Sequence, residues 1–149
     1  MTIQFWYINS HSLNNKNYMI PRNKCYIGLG DNQLDYERRK LSPNSTFFQF
    51  SRFQKNAKNG DIILLYHNTV GYIFYGVFTG VVDEPTTILD MAPDWSPTEV
   101  QKHICVETWI PFDEPVFGDA HPMTLCQKKS NIHNILSQDV LSSIHNRSI

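Results

Sequence analysis

The stretch DIILLYHNTVGYIFYGVFTGVVDE, residues 61–84, decides how this chain folds. Ile62 to Tyr66 is an apolar run, HNTVG collects turn formers, and Tyr72 to Val82 is dense in aromatic and β-branched residues. Such runs bounded by turn residues signal a β-hairpin. One strand is expected near 61–66 and a longer one over 72–82. Gly76 and Gly80 fall on one face of the second strand, interleaved with Phe74 and Phe78. Glycine alternating with phenylalanine lets a strand bend strongly, as the wall of a barrel does.

Working back from the hairpin, TFFQFSRFQKNAKNG predicts a helix over 46–58. Thr46 and Gln49 have capping-box spacing, Phe47, Phe50 and Phe53 recur at helical spacing, and Gly60 stops the run. LDYERRKL (34–41) predicts a short polar helix. KCYIGLG (24–30) predicts a short buried strand with close backbone approach at its glycines. Residues 9–23, rich in Asn, Ser and Lys and ending at Pro21, read as a loop. IQFWYI (3–8) reads as a first strand. On the C-terminal side, 84–100 holds three prolines and reads as a loop or lid. HICVETWIPF (103–112) is expected as a strand ended by Pro111, the next segment as irregular, and the last as a short extended piece followed by a helix capped by Ser137. The order predicts one α+β domain over 1–149, a small curved, barrel-like mixed sheet flanked by short helices.

Composition narrows the function. Apolar residues make up 41% and charged residues 18%, which suits a soluble globular chain; the aromatic share of 13% is high enough for a dense core or for flat ligand surfaces. A net charge of −1 gives no overall pull toward nucleic acid or membrane. Nucleic-acid binding would need a local patch, and Arg38, Arg39 and Lys40, with Arg52, Lys55 and Lys58, are the densest basic residues. They suit a phosphate-contacting rim or a solvated helix face. Cys25, Cys105 and Cys126 form no CxxC pair, so neither a zinc site nor a disulfide framework is expected, and no cofactor is implied. No signal peptide or apolar span is evident, so the expected location is the cytosol, without membrane contact. The carboxylates show no acid/base pairing. Cys105 with His103, or Cys126 with His121, could build a thiol nucleophile pair, and the first pair shares a strand face, but neither has an orienting group in the sequence. A binding module is expected rather than an enzyme.

Several segments, in order, resemble the PUA-like superfamily and its EVE and YTH-type branches. FWYINS is similar to their opening strand and polar turn. YIGLGD resembles the EVE element written Ile-Gly-Trp-Gly. FQKNAKNGDIILLY with YIFYGVFTGVV resembles their helix, Gly-Asp turn and central hairpin, and DWSPTEVQKHICVETWIPFDEPV their loop tryptophan and Val-x-x-Trp strand. The resemblance covers most of residues 3–145. It implies a reader of DNA or RNA that holds a flipped, methylated adenine or cytosine in an aromatic cage. Such a module targets a nuclease or motor domain in the same or a partner chain, as in modification-dependent restriction. The alternatives are a small ASCH-like RNA-processing enzyme and a small-ligand sensor of the same fold. Leu29 stands where the EVE pattern has tryptophan. Leucine cannot stack, so another aromatic must complete the cage, and Tyr26, Tyr66, Tyr75 and Trp95 are at hand.

The base-binding candidates are Trp6, Asn9, Ser10, Tyr26, Leu29, Asp31, Tyr75 and Trp95; the phosphate-binding candidates are Arg38, Arg39, Arg52 and Lys55. Each has a plainer reading. Trp6 shares a strand face with Ser10 and could be core. Asn9 and Ser10 could close a turn. Asp31 could cap the next helix. Tyr75 shares its face with Val77 and Thr79 rather than with the glycines. Trp95 lies in a proline-rich loop, where core burial explains a large ring less easily, whereas Trp109 is expected to be structural.

Overall fold

In a computed structural model of the chain, the residues described are 3–10, 13–67, 70–116, 124–129, 132 and 135–147. The hairpin forms as expected. Strands β1 (Phe5–Ser10) and β2 (Lys24–Gly30) precede β3 (Ile62–His67) and β4 (Gly71–Asp83), and β5 (Val100–Val106), β6 (Ile110–Val116) and β7 (Leu125–Lys128) follow. The sheet has seven strands in the order β2-β5-β4-β3-β1-β7, with β6 on β4. Parallel pairing of β1 with β3 makes it mixed; the other pairs are antiparallel.

The long strand β4 curves the sheet. Its first half pairs with β3 and β6, its second half with β5. Register shifts between Phe78 and Val82, where Gly80 adopts φ 86°. A positive φ within a strand marks a bulge that turns the chain. Gly76 meets a different need: a Cβ there would stand 3.0 Å from Val106 and 3.2 Å from the Trp109 ring.

Two apolar clusters lie on the two faces. One joins Trp6, Ile8, Ile63, Leu65, Phe78 and Val106 to Phe50 and Phe53 of helix α3 (Thr46–Asn56). The other gathers Tyr7, Ile62, Leu64, Tyr66 and Tyr72. Alternation along β1 and β3 assigns neighbours to opposite clusters, as strand geometry requires. Each fully buried Ile, Leu or Phe contributes about 1.5–3 kcal/mol.

Several expectations are corrected. Residues 13–22 are helix α1 (Leu13–Arg22), not loop. Its polar composition hides a short apolar stripe: Met19 is buried, and Tyr18 and Ile20 pack on the first cluster. Asn23, at φ 55°, ends it. Helix α2 (Gln33–Arg39) is capped by Asn32, whose side chain accepts from the Asp35 amide, so Asp31 is not the cap. Helix α3 (Thr46–Asn56) starts after Ser45, and the capping box is absent. Gln49 instead accepts from the amides of Thr124 and Leu125 at 3.0 and 2.9 Å, tying α3 to β7. The strand expected at 103–112 is two strands, broken at Glu107–Trp109. Pro111 lies inside β6, tolerated because among the described residues β6 pairs only with β4. The segment expected to be irregular supplies the end of β6 and, beyond residues outside the described set, β7. The proline-rich loop carries one 3-10 turn, Ile88–Asp90. Helix α4 (Gln138–Arg147) is capped by Ser137, whose hydroxyl accepts from the Val140 amide.

Candidate functional site

The outer pairing of β2 with β5 sets one surface. Lys24 lies opposite Cys105, Tyr26 opposite His103, and Gly28 opposite Gln101. Cross-strand partners and every second residue share a face, so these six form one patch. Helix α1 brings Tyr18 to it, with ring centroids 5.8 Å from Tyr26, and the Tyr18 hydroxyl donates to the Leu89 carbonyl in the proline-rich loop. The loop closes over the patch where the Ala92 amide donates to Gln101 Oε1 at 3.3 Å.

Hydrogen-bond logic then fixes the protons. The Ala92 amide can only donate, so Gln101 turns its oxygen toward it. That oxygen also lies 2.7 Å from His103 Nε2, which must carry the proton. His103 Nδ1 is left as a bare acceptor facing Asp83 Oδ1 at 3.5 Å, acceptor against acceptor. Burial, with Lys24 nearby, holds His103 down to about 4, so the ring is neutral at pH 7 and stacks on Tyr26 at 4.1 Å. Three buried polar atoms on this face have no hydrogen-bond partner among the described residues: Tyr26 Oη, Gln101 Nε2 and His103 Nδ1. Each costs about 1–3 kcal/mol when left unsatisfied. Three on one face stand apart from the usual pairing of buried polar groups.

The rim is aromatic and acidic. A Cβ on Gly28 would stand 2.5 Å from Glu99 Oε1 and 3.5 Å from Trp95 Cη2. Gly28 is therefore the floor on which these two side chains lie. The Ser96–Glu99 turn carries them, and the Thr98 hydroxyl pins it to the Asp31 carbonyl at 2.8 Å. Burial, then the Asp31 charge, pushes the Glu99 carboxyl up to about 7, against the pull of Arg39. A half-buried acid that titrates near neutrality beside an indole is a mark of functional sites.

Of the expected site residues, Trp95 and Asp31 meet here, while Tyr26, 2% exposed, is sealed beneath them on His103. Trp6 does not line an opening: it is 3% exposed, edge-on to Phe53, with its indole N–H donated to Asp61 at 3.2 Å. Leu29 is sealed in the same cluster, on the opposite face of β2 from Tyr26. Tyr75 packs on the second cluster against Phe112. Asn9 and Ser10 are buried at the end of β1; the Asn9 amide donates to the Thr124 carbonyl, and the Ser10 carbonyl contacts His67. Arg38 and Arg39 both bind Asp35, which also accepts from the Asp31 amide. That amide, then Arg38, holds the Asp35 carboxyl below the usual range. Arg52 and Lys55 are exposed on α3. A groove of about 590 Å³ runs along α2 from Asp31 past Arg38 to Leu41.

Glu99, Gln101 and His103 were missed as a set. The alternation of Gln101, His103 and Cys105 is a polar strand face, a legible signal once β5 is known to begin at Val100. Cys105 and His103 do share that face, but both meet Asp83. Burial and the Asp83 charge raise the Cys105 thiol, which is the reverse of nucleophile activation. His121 lies outside the described residues.

No family model and no curated protein matches the sequence. Among solved structures, the chain is similar to a YTH domain. That structure, the Pho92 YTH domain in complex with m6A, aligns with a TM-score of 0.43 and 15% identity over 76% of this chain. The chain covers 64% of the length of that domain. Among the described residues no helix is long and apolar enough to cross a membrane.

Proposed function

We propose that the chain is a nucleic-acid-binding reader, and that it holds an extruded, methylated adenine or cytosine against Trp95 over the β2–β5 face. The observation that carries this reading is the coincidence of a partly exposed indole, a glycine floor and a half-buried carboxyl on one patch. A flat ring gives a base a stacking surface worth roughly 1–3 kcal/mol, which offsets the few kcal/mol of extruding it. The Glu99 carboxyl beside the indole meets its edge. From the sequence reading the site keeps Tyr26, Trp95 and Asp31, with Asn9 and Ser10 at the end of β1 from which α1 departs. It adds Gly28, Glu99, Gln101 and His103. Arg38 and Arg39 border it through α2, and Arg52 and Lys55 extend the basic surface along α3. As a module without catalysis of its own, it would target an effector nuclease or motor domain in the same or a partner chain.

Binding of short single-stranded oligonucleotides tests the reading. Methylated strands are expected to bind at least about threefold tighter than unmethylated ones, since a buried methyl adds about 0.8 kcal/mol. Trp95→Ala is expected to weaken binding about tenfold or more with little change in thermal stability. Equal affinity for methylated and plain strands, or no effect of Trp95→Ala, would count against it.

A further inference from the structure

Glu99 is the one group in the site whose protonation its surroundings leave balanced. Its Oε1 lies against Gly28, in space that a Cβ would fill, and the edge of Trp95 borders the same space. No hydrogen bond or ion pair reaches that carboxyl among the described residues. A ring resting on Trp95 would therefore present its edge to that carboxyl.

We propose that Glu99 reads the edge of the bound base as a neutral carboxylic acid. Its O–H donates to an unprotonated ring nitrogen while its C=O accepts the neighbouring exocyclic N–H. The site then takes adenine or cytosine carrying no more than one methyl on the amino group. This assignment rests on the base-binding reading above and deepens it.

The edge chemistry decides between forms of the acid. Adenine and cytosine present an exocyclic N–H beside a ring acceptor. A neutral acid matches that pair with two hydrogen bonds, whereas a carboxylate has no proton to give the ring nitrogen. The charged groups facing Glu99 are Asp31, in the turn after β2, and Asp35 and Arg39 of α2. The two acids and burial favour the proton, Arg39 opposes it, and the carboxyl titrates at about 7. Binding an amino-bearing base takes up a proton whenever Glu99 starts ionised, so affinity is present below about pH 7 and falls above it. An apolar cage alone would behave differently: it would gain from a second methyl, which adds apolar area. The acid loses there, because a dimethylated amino group has no N–H.

Fluorescence anisotropy at constant ionic strength tests this with strands carrying N6-methyladenine, N6,N6-dimethyladenine, N4-methylcytosine or no methyl. For the better monomethylated strand, affinity is expected to fall about 30-fold between about pH 6 and about pH 8.5. Glu99→Gln keeps the same donor–acceptor pair; it should stay within about threefold of the native affinity at the lower pH and lose the pH dependence. Glu99→Ala should lose about tenfold or more at that pH, and dimethyladenine should bind about tenfold more weakly than its monomethyl counterpart. Binding that is independent of pH, indifferent to Glu99→Ala, or as tight for the dimethylated base overturns the role of Glu99 and leaves the base-binding reading standing. If no strand binds at any pH, base binding itself fails and this role with it.

Discussion

Glu99 carries a consequence for stability as well as for binding. In an unfolded chain its carboxyl ionises near 4.5, in the folded protein at about 7. The folded state thus binds more protons between these values. The stability linked to Glu99 is fully present below about pH 4.5 and is lost as pH rises through about 7. Glu99→Gln removes that loss. Its melting temperature is expected to exceed the native one by about 2–4 °C near pH 8.5, or about 1 kcal/mol after solvent screening. The gap should close near pH 4.5 in a calorimetric series; an equal gap at both ends would mean that Glu99 ionises freely. Trp6 shows the opposite fate for a polar contact. Its indole N–H is satisfied by Asp61, a buried carboxylate that also accepts from the amides of Gln4 and Lys58. A ring so held is buried, whereas Trp95 is only half-buried at the edge of the first cluster.

Among the elements, α3 and β7 depend on one side chain. Gln49 Oε1 accepts two amides of the chain entering β7, and β7 otherwise pairs with β1 alone. Gln49→Ala would leave the buried Leu125 amide and its neighbour unpaired, at about 1–3 kcal/mol each at most. Chemical denaturation is expected to show a loss of about 2 kcal/mol, with hydrogen exchange accelerated first at Leu125; unchanged exchange there would refute the tie. The elements also show what local pattern reveals. The β3–β4 hairpin and α3 declare themselves because apolar period and turn residues agree. Helix α1 does not, since among its described side chains the apolar contact is made by Tyr18, Met19 and Ile20, and Pro21 argues against it. Packing on the first cluster, not propensity, makes it helical. The single strand expected at 103–112 fails for a related reason. Trp109 turns inward to donate its indole N–H to the Lys24 carbonyl at 3.1 Å, and that contact lies 85 residues away in sequence.

At the scale of the whole molecule, charge limits how nucleic acid can be held. The net charge is −1, and two of the four expected phosphate contacts, Arg38 and Arg39, are engaged with Asp35. Few cations remain to displace counterions. The slope of log affinity against log salt for a single strand is expected to be shallow, about −1.5 to −3, corresponding to roughly two to four phosphates. Replacing Arg52 and Lys55 together by alanine should flatten it by about 1.4. A slope unchanged by that pair would place the phosphate track elsewhere, and a slope near zero would favour a neutral small ligand over a strand.

The sequence by itself determined the class of the fold, the hairpin that bends the sheet, and helix α3. Each of these follows from neighbours along the chain: strand period, helical period, or turn residues. Tertiary structure alone decided which aromatic rings are sealed and which polar groups meet. Tyr26 finds His103, and Gly28 finds Gln101, through the register of β2 on β5; Glu99 reaches Gly28 because a glycine leaves space for its carboxyl. Strand pairing between distant segments is set by the fit of whole faces, not by any local pattern, and it is that fit which assembles the site.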